Sequence, residues 1–268
     1  YDGYELVSIP EFGGEAVAYG LDAPYDVEFH ERIPSTNDRA RRLAERGESD
    51  VVVLADEQTG GKGRLDRSWE SPSGGVYLSV VLRPSMDPAD APVVTLAAAV
   101  ATVRAAREAG VEAAIKWPND VRVPGRGGDR GQGDEQKLAG ILTEMEGSGA
   151  DVSWLVVGIG LNADVDPEAL PDESATSLSE QAGEVNRRRF TQRLLEEFDA
   201  LLADPEAVVP AWREHATTLG RRVRVETPEG AVTGTATDIE FPGTLIVDTG
   251  ETGERIAAGD CEHLRPVE

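Results

Sequence analysis

The stretch Gln58-Thr59-Gly60-Gly61-Lys62-Gly63-Arg64-Leu65-Asp66-Arg67-Ser68-Trp69 brings three glycines, three cations, one acid and an indole together. Such a loop suits an anion joined to a ring system. Glycine lets backbone N–H groups approach an anion closely, the cations neutralise it, and the indole offers a face to a heterocycle. A local balance of three cations to one acid stands out in a chain whose formal net charge is −24.

Two further clusters are Lys116-Trp117-Pro118-Asn119-Asp120 and Lys137-Leu138-Ala139-Gly140-Ile141-Leu142. Lys62, Lys116 and Lys137 are the only lysines among 26 basic residues, and each falls in one of the three clusters. That retention points to sites needing a compact ammonium where a guanidinium would not fit. Asn119 and Asp120 carry a competing explanation, because Pro-Asn-Asp is ordinary turn chemistry. The glycine loop is not a Walker A motif, since Lys62 is followed by Gly63 and position 56 is Asp. Gly158-Ile159-Gly160-Leu161-Asn162-Ala163 satisfies a dinucleotide spacing, but the acidic, Pro-broken Asp164-Val165-Asp166-Pro167 cannot open the helix such a site needs.

The elements that must hold these clusters are readable in outline. Residues 1–30 mix short β-prone pieces with Gly and Pro and read as a lead-in. Ser35-Thr36-Asn37-Asp38 fits a helix cap, with Ala40, Leu43 and Ala44 at helical spacing until Gly47. Strands are expected at 51–55, 76–82, before Trp117, at 121–123, 137–145 and 152–159, and helices at 92–109, 188–202 and 205–216. Residues 124–136 hold five glycines and no large apolar side chain, and read as a surface loop. Short strands separated by Gly-rich turns after Thr218 read as a small all-β unit. The expected division is therefore a lead-in at 1–30, a main domain at 31–217 that carries the three clusters, and a β domain at 218–268.

Composition narrows the classes further. The single cysteine, Cys261, and three scattered histidines exclude a disulfide framework and a zinc-ligand spacing. No run approaches the roughly 20 apolar residues of a membrane span, so no membrane partner is expected. The acidity argues against nucleic-acid binding through this chain, and with so little lysine it suggests a protein adapted to high salt. No signal peptide follows Tyr1, and a cytoplasmic location is expected; the chain reads as a fragment or processed product.

Five blocks, Ser35-Thr36-Asn37, Gly61-Lys62-Gly63-Arg64-x-x-Arg67-x-Trp69, Lys116 to Asp120, Lys137 to Leu142 and Gly158 to Asn162, occur in the order and approximate spacing of the biotin protein ligases, which the chain resembles. The resemblance implies an α+β fold, a mixed sheet with flanking helices of the class II aminoacyl-tRNA-synthetase and biotin-ligase kind, followed by a small SH3-like β-barrel. It implies biotin and ATP as substrates, with Mg²⁺, and transfer of biotin through biotinyl-5′-AMP to a lysine of a biotin carboxyl carrier domain of acetyl-CoA or propionyl-CoA carboxylase.

Carried over residue by residue, the resemblance assigns Ser35, Thr36, Asn37, Gln58, Lys62, Gly63, Arg64, Lys137 and Gly140 to biotin. Gly61, Arg67, Trp69, Lys116, Asn119 and Asn162 go to the nucleotide. Lys137, Arg64, Lys62, Arg67 and Asp120 form the catalytic set, with Lys137 as the main transition-state stabiliser and Asp120 as the candidate for Mg²⁺ or the incoming amine. A homodimer is implied as well. Lys62 stands where many family loops carry Arg, Asp66 replaces a frequent Gly, and the 124–136 insertion lengthens a short hairpin. Two other functions are weighed: lipoate protein ligase, whose arginine and triple-glycine signature is not visible, and a biotin-responsive transcription regulator. The latter needs a winged helix-turn-helix upstream, of which Asp2 to Pro10 resembles the end; nucleic acid would be a partner only in that case.

Overall fold

The computed structural model of the chain describes residues 11–65, 67–124, 135–149, 151–171 and 174–264. The segment resembling a wing end, Asp66 and most of the Gly-rich insertion lie outside the described residues.

A short helix, α1 (Gly14–Ala18), and strand β1 (Asp26–Ile33) come first, both within or overlapping the stretch read as a lead-in. β1 escapes a reading by pattern because only Ile33 of DVEFHERI is fully buried, so no apolar alternation marks it. Helix α2 (Thr36–Glu45) begins as its cap predicts: Ser35 Oγ accepts from the Asp38 N–H at 3.3 Å, while Ala40, Leu43 and Ala44 face inward. Gly47, at φ 95°, ends the turn.

The larger unit continues through β2 (Val51–Gln58), β3 (Val76–Leu82), α3 (Pro92–Glu108), β4 (Ala114–Lys116), β5 (Asp120–Val123), β6 (Gln136–Ser148), β7 (Asp151–Leu161), α4 (Leu178–Ala182), α5 (Arg187–Ala203) and α6 (Pro205–His215). Its seven strands run in the order β1-β2-β3-β7-β6-β5-β4, with β1 and β2 parallel and the remaining pairs antiparallel. The fold is therefore α+β with a mixed sheet. Strands β8 (Arg222–Thr227), β9 (Gly230–Glu240), β10 (Thr244–Asp248), β11 (Gly253–Ile256) and β12 (Asp260–His263) form a second, antiparallel sheet ordered β11-β10-β9-β8-β12. Helix α4 and strand β12 were not expected from the sequence.

Strand alternation assigns the two faces of the large sheet. Val52, Leu54, Leu78, Val80, Val157 and Ile159 join the core under α3, α5 and α6. Val53, Ala55, Tyr77, Val81 and Val156 pack with α2 on the other face. Ser79, Gly158 and Gly160 share that second face, where the two glycines leave room for the side chains of Asn37 and Trp69 beside the cleft. The stretch Pro88–Glu108 is apolar and long enough to cross a membrane by composition, contrary to the expectation from sequence, and 72% of its most apolar window is buried in the fold.

Trp117 joins the two sheets. Its backbone N–H donates to Thr218 Oγ1 at 2.9 Å and its Nε1 to the Gly243 carbonyl at 3.0 Å, while the indole is 1% exposed. A surface pair supports the junction, Arg213 Nε lying 2.7 Å from Asp238 Oδ1.

Candidate active site

The cleft is built outward from the N-terminus of α2. Gln58, the last residue of β2, turns its amide so that Oε1 accepts both the Thr36 N–H at 2.9 Å and the Thr36 hydroxyl at 3.0 Å. Because a backbone N–H can only donate, this contact fixes the amide orientation. Gln58 Nε2 then donates to Ser71 Oγ at 2.9 Å, and the Ser71 hydroxyl to the Trp69 carbonyl at 3.1 Å. Thr36 and Asn37 are buried among these contacts. Gly158 faces Asn37 so closely that a Cβ there would overlap the amide.

The glycine loop is a compact hairpin in its described part. The Gly63 N–H donates to the Arg67 carbonyl at 2.7 Å and the Trp69 N–H to the Gly61 carbonyl at 2.9 Å. A Cβ on Gly61 would overlap the Trp69 carbonyl, so this glycine serves the turn. Leu65 sits at the tip with φ 54° and is exposed. The Trp69 indole lies over Gly160, where a Cβ would come within 2.6 Å of Nε1, and beside Gly140, where it would come within 3.4 Å of the ring. Two glycines on adjacent strands thus make the slot that holds the indole. Its Nε1 is buried with no hydrogen-bond partner among the described residues.

The cations divide into paired and unpaired. Lys137 Nζ is 2.7 Å from Asp120 Oδ1 and 5.1 Å from the Trp69 ring centroid. Asp120 is also 3.4 Å from Arg122 Nη2. Arg64 reaches across the cleft, donating to Asn119 Oδ1 at 3.1 Å and to the Gly259 carbonyl at 2.9 Å. Arg67 pairs with Asp260, and Lys62 leans to Asp38 at 2.6 Å. Burial lowers the Arg64 guanidinium below its ordinary range, as it lowers the Lys116 ammonium. No described carboxylate lies within 4 Å of Lys116, so it is the cleft lysine without an ion-pair partner among the described residues. Burial also pushes the Cys261 thiol, on the same wall, up to about 11, which keeps it protonated.

Of the residues predicted from sequence, Ser35, Thr36, Asn37, Gln58, Lys62, Gly63, Arg64, Arg67, Trp69, Lys116, Asn119, Asp120, Lys137 and Gly140 line one cleft of about 920 Å³, open mouth included. Gly61 and Asn162 do not line it. Asn162 is buried, and its Nδ2 donates to the Thr176 carbonyl at 3.0 Å, so its amide serves the backbone. Asn119 is similarly engaged, its Nδ2 donating to the Ile141 carbonyl at 2.8 Å. Leu142 of the third cluster lines the cleft without having been given a role, and sequence reasoning missed Ser79, Gly259 and Asp260. The last two arrive from the second sheet and carry no local motif.

Comparison with known proteins agrees with this geometry. Residues 29–162 match the Biotin/lipoate A/B protein ligase family and residues 218–264 the Biotin protein ligase C terminal domain. The chain is 34% identical to the bifunctional ligase/repressor BirA of Bacillus subtilis, over 97% of its own length and 82% of that protein's. It is also 34% identical to the biotin–[acetyl-CoA-carboxylase] ligase of Mycobacterium tuberculosis, over 86% of each. Among solved structures, the biotin protein ligase of Aquifex aeolicus in complex with biotin and ATP superposes with a TM-score of 0.72 at 25% identity, covering 89% of this chain and 99% of that one. Five ordered motifs converging on one cleft, and this likeness along most of the chain, lead to one assignment: the chain belongs to the biotin protein ligase family.

Proposed function

We propose that the chain is an ATP-dependent biotin protein ligase, which forms biotinyl-5′-AMP and pyrophosphate from biotin and ATP and then biotinylates a protein lysine. The single observation that carries this reading is one cleft joining a polar inner pocket, Thr36, Asn37 and Gln58, to the cations Lys137, Arg64 and Lys116. The similar Aquifex aeolicus ligase is a complex with biotin and ATP, and the Mycobacterium tuberculosis relative is a biotin–[acetyl-CoA-carboxylase] ligase.

In the first step a biotin carboxylate oxygen bonds to the α-phosphorus while the bond to pyrophosphate breaks. Two anions must meet, so the site has to supply positive charge and alignment rather than a strong acid or base. Lys137 is assigned to bridge carboxylate and phosphate. Gln58, Lys62 and Arg64 are assigned to the biotin carboxyl and the adenylate phosphate, Arg67 to closing over the intermediate, Lys116 to the nucleotide, Trp69 to the adenine face, and Ser35, Thr36 and Asn37 to the ureido end. In the second step an amine attacks the acyl carbon and AMP departs; Asp120 is assigned to orient that amine. The described residues do not suit a protein-held Mg²⁺: Asp120 is already paired with Lys137 and Arg122, and no group of three acidic, His or Cys side chains among them could hold a metal. The ion therefore belongs with the ATP substrate.

The acceptor on this reading is a biotin carboxyl carrier domain of acetyl-CoA or propionyl-CoA carboxylase. The net charge of −24 supports a high-salt cytoplasm as its setting, and a homodimer is part of the same proposal, to be checked by sedimentation across salt concentrations. The decisive experiment incubates the chain with biotin, ATP, Mg²⁺ and a carrier domain in high salt, with lipoate as the competing acid. Transfer of biotin but not lipoate is expected; a folded protein that transfers neither sinks the assignment.

A further inference from the structure

Ser79 is a polar residue in a strand buried on both faces. It is 0% exposed and lies on the α2 side of the sheet between Tyr77 and Val81. Its Oγ is 2.8 Å from Thr36 Oγ1 and 2.6 Å from Asn37 Oδ1. Counting protons shows what this arrangement demands. The Thr36 hydroxyl donates to Gln58 Oε1, an oxygen that can only accept once the Thr36 N–H has fixed the amide. Thr36 Oγ1 therefore faces Ser79 as an acceptor. Asn37 Oδ1 is an acceptor too, since Nδ2 on the other side of that amide points to the Leu142 carbonyl. Ser79 has one hydroxyl proton for these two oxygens. Three short oxygen–oxygen contacts, Thr36 to Gln58, Thr36 to Ser79 and Ser79 to Asn37, thus share two hydroxyl protons, and one contact on this wall is without a proton.

We propose that Ser79 is a specificity-determining positioning residue: by holding Thr36 and Asn37 as acceptors with one proton between them, it tunes the wall to a ligand that presents N–H donors. A cyclic urea supplies such donors, whereas a dithiolane or alkyl chain supplies none. This inference rests on the biotin reading above and names what separates biotin from lipoate within a family that handles both. Ser79 acts through its neighbours and is not among the residues that line the cleft. The only other described side-chain bond of Asn37 is the long 3.4 Å donation to Leu142. Removing the Ser79 hydroxyl therefore frees the amide to rotate and offer either its oxygen or its nitrogen.

The test measures equilibrium binding of biotin and of its two mono-N-methylated urea analogues to the wild-type chain and to Ser79→Ala. In the wild type at least one analogue should bind about 100-fold more weakly than biotin, because a site built for an N–H rejects a ligand lacking it. In Ser79→Ala that ratio should fall below about tenfold, with ATP affinity little changed; the thermal midpoint should drop because buried Asn37 loses its donor, so the ratio and not the midpoint decides. A merely structural serine would shift the midpoint and leave the ratio alone. Should Ser79→Ala not fold, Ser79→Cys keeps the shape with a weaker donor and should lower the ratio in the same direction. An unchanged ratio in a folded variant that still binds biotin overturns the role of Ser79 while leaving the ligase reading intact. Failure of the wild type to bind biotin overturns both.

Discussion

The ammonium of Lys137 sits 2.7 Å from Asp120 Oδ1 and 5.1 Å from the centre of the Trp69 ring, at the start of β6 and facing the cleft. One charge thus touches both the acid of the Pro-Asn-Asp turn and the indole of the glycine loop. Lys137→Ala should lower adenylate formation by orders of magnitude, measured as biotin-dependent pyrophosphate release. The melting temperature should move little, because Asp120 keeps Arg122 as a partner and a partly exposed ion pair contributes only about 0–1 kcal/mol. Equal losses of activity and stability would mark Lys137 as structural.

Gly160→Ala tests the indole slot. The added Cβ would press within 2.6 Å of Trp69 Nε1, and the ring would have to leave its place. Binding of biotin and ATP should weaken by about tenfold or more each, while overpacking at this half-buried position costs roughly 1–3 kcal/mol. Titration calorimetry against both ligands decides; unchanged affinities would show that the indole position is irrelevant to binding.

Asp260 places an anion among cations assigned to the intermediate and its nucleotide. Its carboxylate pairs with Arg67 across the mouth of the cleft, and although burial acts to raise its pKa, Arg67, Arg64 and Lys116 outweigh this and hold it below the usual range. Asp260→Asn removes that competing charge. The KM for ATP should fall several-fold, with kcat and thermal stability nearly unchanged, as the pair is largely exposed. A rise in the KM for ATP would show instead that Asp260 is needed to position Arg67.

Part of the acid sensitivity should trace to Glu135, as part should to Glu28, whose carboxyl Arg39 also holds well below the usual range. Burial acts to raise its pKa, but hydrogen bonds from His263 and Thr217 and the Arg221 charge overcome this and bring it down to about 2. Thr217 Oγ1 and Arg221 Nη2 lie 2.7 Å and 2.8 Å from the same carboxylate oxygen. A carboxyl depressed by folding stabilises fully above its unfolded value and loses that contribution as pH falls through the folded one. His263 acts in the same direction at higher pH, since burial lowers its pKa and protonation is resisted by the fold. Unfolding free energy should therefore drop between about pH 6.5 and pH 2, and Glu135→Gln should flatten the lower part of that decline in a denaturant series. A slope identical to wild type would remove Glu135 from the account.

The sequence was most informative where residue identity itself carries the chemistry. Three lysines retained in a chain of arginines led to a common cleft, and the cap at Ser35 and the stop at Gly47 bracketed α2 correctly. It was least informative where one residue type has two uses. Asn119 and Asn162 have the identity of ligand contacts, yet both direct an amide donor at a backbone carbonyl, and only packing reveals which way an amide turns. β1 was missed because a nearly unburied strand has no periodicity to detect. Ser79 was missed because one serine in an apolar strand gives no signal until its partners on α2 are known. Asp260 meets Arg67 across 193 residues of chain, a separation no local pattern spans.

Trp117 also bears on how this protein could change over time. The indole that bolts the second sheet to the first is followed within three residues by Asn119 and Asp120, which hold Arg64 and Lys137. The small sheet returns the contact through Gly259 and Asp260. The two units are therefore poor candidates for independent inheritance. Exchanging the small sheet for a distant relative's would disturb the larger unit's cleft unless the partners of Trp117, Arg64 and Arg67 came with it, so these positions should drift together as a set.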